Sequence, residues 1–292
     1  MRKSIYLSIF FIYLSISLSG QLINSNEIKK VTSIQRNASY NLEEIKVRWK
    51  KAALENCTGV PCIIIPPPPP PPSFNCGTST ISDIDGNSYN TVLIGTQCWT
   101  KENLKVTKYN DNTLISLNAS GGSAGTSGTW AVTTGAYAIY GNQSSTGANA
   151  TNYGFLYNWY AASDSRKLCP AGWHVPTDGE WTTLIQFIVP TETVSATVIG
   201  TQSPNAGTLM KKNDGSFWTG TNTSGFSALP GGYRHPASGN FIAIRSICYF
   251  YSITEHTTPT QALGRTLNVF DGSVFRGNYP KSTGASVRCL RD

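Results

Sequence analysis

Side chains able to do chemistry are few in this chain. Histidine occurs three times, at His174, His235 and His256, and none stands at metal-ligand spacing from another. No G-x-S-x-G elbow, H-E-x-x-H helix or phosphate-cradling glycine loop is present. No local pattern joins a nucleophile, a base and an orienting group, so no catalytic residue is expected. Asp83, Asp85 and Asn87 alternate at the spacing with which a calcium loop begins. Such a loop also needs further acidic ligands, above all a glutamate near its end, and Thr91 to Gly95 supply none. Asp85-Gly86 is a tight-turn dipeptide. The expectation is therefore a hairpin turn and no cofactor, with calcium as the alternative. Tyr233, Arg234 and His235 follow the double glycine Gly231-Gly232. They are the candidate contacts for a glycan or protein ligand. The competing reading is an ordinary turn followed by a satisfied arginine.

The elements that would position these residues centre on Leu168 to Trp181, LCPAGWHVPTDGEW. Trp173 to Val175 is a short strand that Pro176 ends, and His174 packs or hydrogen-bonds within it. Thr177 and Glu180 form a T-x-x-E capping box, and Asp178 adds favourable charge at the helix start. Trp181, Leu184, Ile185 and Ile188 recur at helical spacing, so that face is buried. Pro190 stops the helix. Around it lie segments that read as strand: Tyr89 to Ile94, Trp130 to Tyr140, a Phe-x-Ala-Leu strand within Gly225 to Arg234, Cys248 to Ser252, and a hairpin at Asp271-Gly272. In the closing ASVRCLRD, Val287, Cys289 and Arg291 alternate with Ser286, Arg288 and Leu290. YGFLYNWYAA, Tyr153 to Ala162, carries no charge. Its aromatics suit a core, with sugar stacking as the alternative.

Charged residues make up 13% and aromatics 11% of the 292 residues, with 27 glycines. That mix suits a rigid, loop-rich β or α+β protein. The net charge of +7 is unevenly spread. Residues 1–75 hold nine Lys and Arg against four Asp and Glu, and residues 76–292 hold fourteen against twelve. The folded part is near neutral, which disfavours nucleic-acid binding.

Residues 1–20 read as a secretory signal peptide, with Arg2 and Lys3, an apolar run from Ile5 to Ile16 and small residues to Gly20. No second apolar stretch is long enough to cross a membrane, so the processed chain is expected to be secreted or displayed at the cell surface. Residues 21–73 form an extension. Asn41 to Glu55 is a short helix with an apolar stripe of Leu42, Ile45, Trp49 and Ala52. Pro66 to Pro72 is a polyproline II stalk of roughly 22 Å at about 3.1 Å per residue. The folded domain spans 74–292. Of seven cysteines, Cys57 and Cys62 flank a TGVP turn and close a small loop. In an exported protein cysteines are disulfide candidates first, and the odd number leaves one unpaired.

Five ordered segments, DIDGNSYNTVLIGTQCWTKENLK, YGFLYNWYAA, LCPAGWHVPTDGEW, GFSALPGGYR and SVRCLRD, make residues 76–292 resemble the Fibrobacter succinogenes major paralogous domain. That family is similar to the C-type-lectin-like group, which includes formylglycine-generating enzymes. The resemblance implies a compact C-type-lectin-like α+β domain with short twisted sheets, paired ends, one well-defined helix and long loops, in a bacterial exported protein. It implies disulfides Cys169–Cys289 and Cys76–Cys98, leaving Cys248 as a free thiol. The chain departs from the family where a Trp-Trp-Ser-Ser-like string is replaced by Tyr249-Phe250-Tyr251-Ser252, where Thr100 replaces Met, and at Cys248. The resemblance implies no activity. The leading expectation is a noncatalytic module binding glycan or a surface protein. The alternatives are a structural display domain and a divergent cysteine-dependent oxidase.

Overall fold

The computed structural model describes residues 74–118, 130–213 and 218–292. The expected signal peptide, the expected helix of Asn41 to Glu55, the expected Cys57–Cys62 loop and the expected proline stalk all fall outside the described residues. In chain order the strands are β1 (Thr80–Ser82), β2 (Ser88–Ile94), β3 (Gln97–Thr100), β4 (Ser116–Leu117), β5 (Ala136–Ala138), β6 (Leu156–Tyr157), β7 (Trp173–His174), β8 (Gly200–Ser203), β9 (Tyr233–Arg234), β10 (Phe241–Ile242), β11 (Ile247–Glu255), β12 (Gln261–Asn268), β13 (Val274–Pro280) and β14 (Leu290–Arg291). The helices are α1 (Ala148–Tyr153), α2 (Trp159–Ala162), α3 (Asp178–Ile188) and α4 (Ala206–Met210). The fold is α+β and mostly short sheets.

Helix α3 forms as its sequence dictates. The Thr177 hydroxyl accepts from the Glu180 N–H, and the Glu180 carboxylate accepts from the Thr177 N–H, completing the capping box. Trp181, Leu184 and Ile185 are buried and Ile188 is half-buried. Asp178 supplies the expected charge in the first turn of the helix, but it does more. It is buried and paired with Arg265 and Arg276 at 2.6 and 2.8 Å.

One sheet runs in the order β1-β2-β3-β14-β7 and so joins the start, middle and end of the described chain. A second, antiparallel sheet has the order β11-β12-β13-β8. Between the two main cores runs the closing segment. Val287 and Cys289 belong to the core that holds Trp173 and Tyr157, while Leu290 belongs to the one that holds Trp181 and Phe250. This explains why the closing segment does not alternate between buried and exposed: both of its faces meet protein. Arg288 is fully buried there, donating to Asn103 Oδ1 and to the carbonyls of Thr100, Phe226 and Ser227. Disulfides Cys76–Cys98 and Cys169–Cys289 are both formed, and Cys248 is free and buried.

Two strand expectations shrink. Trp130 to Tyr140 yields only β5, and Gly225 to Arg234 yields only β9. Ser227 takes a positive φ of 58°, which breaks extended backbone there, although Phe226 and Ala228 are still buried.

Candidate ligand-binding face

The second sheet has two unlike faces, and residue alternation along its strands decides which side chain goes where. On the face turned to α3, Cys248, Phe250, Leu267 and Val274 are buried in one core with Trp181 and Phe226. Phe250 lies 5.4 Å from the Trp181 ring, centroid to centroid. The same face carries Arg265 and Arg276. Asp178 Oδ1 accepts from Arg265, and both Asp178 oxygens accept from Arg276. Arg265 also donates to Gln202 Oε1 and Thr182 Oγ1. Burial pushes the Asp178 carboxyl up, but the Arg276 hydrogen bonds and the Arg265 charge more than offset this and hold it below its ordinary value.

The opposite face is covered at one end, where Tyr251 and Ala262 are buried with Trp159 of α2 and Ala285 and Tyr249 packs against them, and is open over the rest. Register places Tyr249, Thr266, Phe275 and Thr201 in one row across β11, β12, β13 and β8. Each is half-buried or exposed, and Phe275 is 38% exposed. Tyr233 of β9 stacks on Tyr249 with ring centroids 4.5 Å apart and planes within 4°. Tyr279 of β13 packs on Tyr249 from 4.7 Å, and its hydroxyl is 2.6 Å from Thr266 Oγ1. Two glycines allow that pose. Gly264 and Gly277 are paired across β12 and β13. A Cβ at Gly277 would lie 2.2 Å from the Tyr279 hydroxyl, and one at Gly264 would lie 3.2 Å from the Tyr279 ring. Burial pushes the Tyr249 phenol up to about 12 and raises that of Tyr233. Both are thus neutral near pH 7, able to donate and accept. Among the described residues, neither hydroxyl has a hydrogen-bond partner. An exposed antiparallel face is usually polar, and this one instead carries a row of aromatic and hydroxyl side chains.

The residues singled out in the sequence are distributed unevenly over this geometry. Tyr233 joins the open face. Arg234, the next residue along β9, points the other way and is fully buried, which corrects its assignment as a ligand contact. It donates from Nε to the Gly239 carbonyl, and its guanidinium lies 4.1 Å from the Trp130 ring centroid. His235 is half-buried, and its Nδ1 accepts from the N–H groups of Ala237 and Ser238, holding the turn into β10.

Asp83, Asp85 and Asn87 form the β1–β2 turn. Asp83 accepts from the backbone of Asp85 and Asn87, from Asn87 Nδ2 and from the Tyr89 hydroxyl. Asp85 accepts from the Thr107 backbone and hydroxyl and pairs with Lys108 at 3.4 Å. Protein donors therefore already engage both carboxylates. His174 links strand to helix to chain end, with Nε2 3.0 Å from Glu180 Oε1 and Nδ1 2.6 Å from Asp292 Oδ1. Cys248 faces the core, where burial pushes its thiol up to about 12. Cys289 is held in its disulfide. A buried, protonated thiol is a poor nucleophile and a poor metal ligand. A shallow concavity on the outer side of α3, lined by Thr182, Thr183, Gln186, Phe187 and Pro190, holds no ionisable side chain.

Sequence reasoning missed Tyr249, Thr266, Phe275 and Tyr279. The signal was alternation: Cys248 and Phe250 face α3 and Tyr249 faces the other side, where the next residue, Tyr251, is buried again beside Trp159. An unbroken apolar string hid it.

Fold and face together define a disulfide-tied, β-rich α+β module with an aromatic open sheet. The family model described as the Fibrobacter succinogenes major domain matches residues 92–291, and the chain belongs to this family. The match takes in every residue of the open face and both cysteines of the Cys169–Cys289 bridge. No curated protein and no solved structure matches the chain.

Proposed function

We propose that the chain is a noncatalytic glycan-binding module of an exported bacterial protein, and that Tyr233, Tyr249, Phe275 and Tyr279 form its contact face. The observation that carries this reading is the run of ring contacts Tyr233–Tyr249–Tyr279 across β9, β11 and β13, with exposed Phe275 beyond Thr266 in the same row and the Tyr233 and Tyr249 hydroxyls unengaged among the described residues. A sugar presents apolar C–H patches beside hydroxyls. Ring surface beside phenol and threonine hydroxyls complements both, at little cost in side-chain entropy because tyrosine has only two rotatable side-chain angles. A protein partner is the second occupant such a surface could take. The wealth of hydroxyls and the absence of aliphatic or arginine anchors in the row favour the glycan.

Export is supported by two disulfides, which persist in oxidising compartments. Among the described residues no helix is long and apolar enough to cross a membrane. The C-type-lectin-like grouping is part of the same reading; β14 pairing with β3 supports it, because the ends of such domains share a sheet. The whole chain on a glycan array, with and without calcium, tests the proposal. Binding that Tyr249→Ala abolishes, while the melting temperature holds within a few degrees, is the expected result. No binding to any glycan in either condition would return the domain to a structural role in surface display.

A further inference from the structure

We infer that the ligand is a linear, uncharged oligosaccharide of several residues, laid across the strands rather than held by one end. This rests on the glycan reading and adds to it the ligand's shape and charge. The direction comes from register. The contact side chains Tyr249, Thr266, Phe275 and Thr201 follow one cross-strand line. Neighbouring strands lie about 4.8 Å apart, so β11 to β13 spans about 10 Å. Tyr233 extends the line by a further 4.5 Å beyond Tyr249. A single sugar ring covers one step of such a row, and only a chain engages Tyr233 and Phe275 together.

The charge preference comes from how each face is furnished. No side chain in the row is ionisable near neutral pH. The sheet's two arginines, Arg265 and Arg276, lie on the other face, buried against Asp178. Lys281, at the end of β13, pairs with Glu255 at 3.0 Å and lies over the Trp159 ring. A uronate or sulfated chain would lose water from its charges on this row without gaining a cation there. The surface is also preorganised. The Thr266 contact and the two glycines beneath Tyr279 fix its ring before any ligand arrives, which lowers the ordering cost of binding.

The test is calorimetric titration of the whole chain with linear neutral hexose oligomers from mono- to hexasaccharide, in α- and β-linked series, and with uronic-acid oligomers of equal length. Affinity is expected to rise at least about tenfold from mono- to tetrasaccharide and then to level off; tenfold corresponds to about 1.4 kcal/mol. Phe275→Ala should erase that gain. Phe275→Leu, which keeps apolar bulk and guards against a folding defect, should lose only part of it. Equal affinity for mono- and hexasaccharide, or tighter binding of the uronic-acid series, would overturn the inference while leaving a Tyr249-dependent glycan site intact. Silence across every series would remove the glycan reading itself.

Discussion

The two faces of the β11-β12-β13-β8 sheet invert the usual rule. The buried face holds the charges, Arg265 and Arg276 on Asp178, and the open face holds aromatic rings with no charge. Buried ions are costly unless every donor is met. Here Asp178 anchors the start of α3 to two strands far from it in sequence, and this fixes where the helix lies on the sheet. The open face has no such anchor, and we propose that its rings serve a ligand. The comparison therefore separates what positions the domain from what it presents.

The largest expected effect breaks the buried face. Asp178→Ala leaves two guanidinium groups buried without their carboxylate. It should destabilise the protein by about 3–5 kcal/mol, the usual cost of removing one partner of a buried pair. Denaturant unfolding measures it. A loss under about 1 kcal/mol would mean that the triad contributes little.

Acid should act on the same face next. The Asp178 and Glu180 carboxyls both lie below their ordinary values. Burial alone would raise them. The arginines overcome it at Asp178, and the Thr177 N–H, the Thr177 hydroxyl and His174 overcome it at Glu180. A depressed folded pKa stabilises above the unfolded carboxylate value of about 4. That contribution is lost as pH falls through the folded values. Stability should thus be level at neutral pH and fall below about pH 4. The fall should be shallower in Asp178→Asn, which no longer titrates at that position. Melting temperatures across the acid range, for the parent and the variant, show whether the slopes differ.

On the open face, Tyr249→Ala should cost about 1–2 kcal/mol, because the ring is half-buried between Tyr233 and Tyr279. Thermal melting and the glycan array together separate this modest cost from the complete loss of binding expected for the same variant.

How much of this the sequence disclosed depends on whether the controlling interaction is local. The α3 cap, its buried stripe and the Asp85-Gly86 turn are set by residues within a few positions of each other, and all three are legible. The disulfide pairing is legible only through the family resemblance, since seven cysteines allow many pairings. Asp178 reads as a helix-end charge because its arginines lie on β12 and β13, which nothing nearby in the sequence announces. Arg234 fails for a different reason: β9 is only two residues long, too short to show the alternation that sends Tyr233 out and Arg234 in. The row itself is created by pairing register between four strands, and register is a long-range property.

Phe250 and Phe275 give the sharpest form of the comparison, being the same residue type in one sheet on opposite faces. Phe250 is 1% exposed and touches the Trp181 and Phe226 rings, while Phe275 is 38% exposed. Phe250→Ala opens a cavity inside a close-packed core and should cost about 3–5 kcal/mol. Phe275→Ala opens nothing, because solvent already reaches the ring, and should cost under about 1 kcal/mol. The order reverses for ligand. Phe275→Ala should weaken long oligosaccharides without unfolding the protein, and any loss in Phe250→Ala should follow its loss of folded protein. Comparable destabilisation by the two substitutions would mean that the Phe275 face is packed against something in solution, and the open row would then be a protein interface.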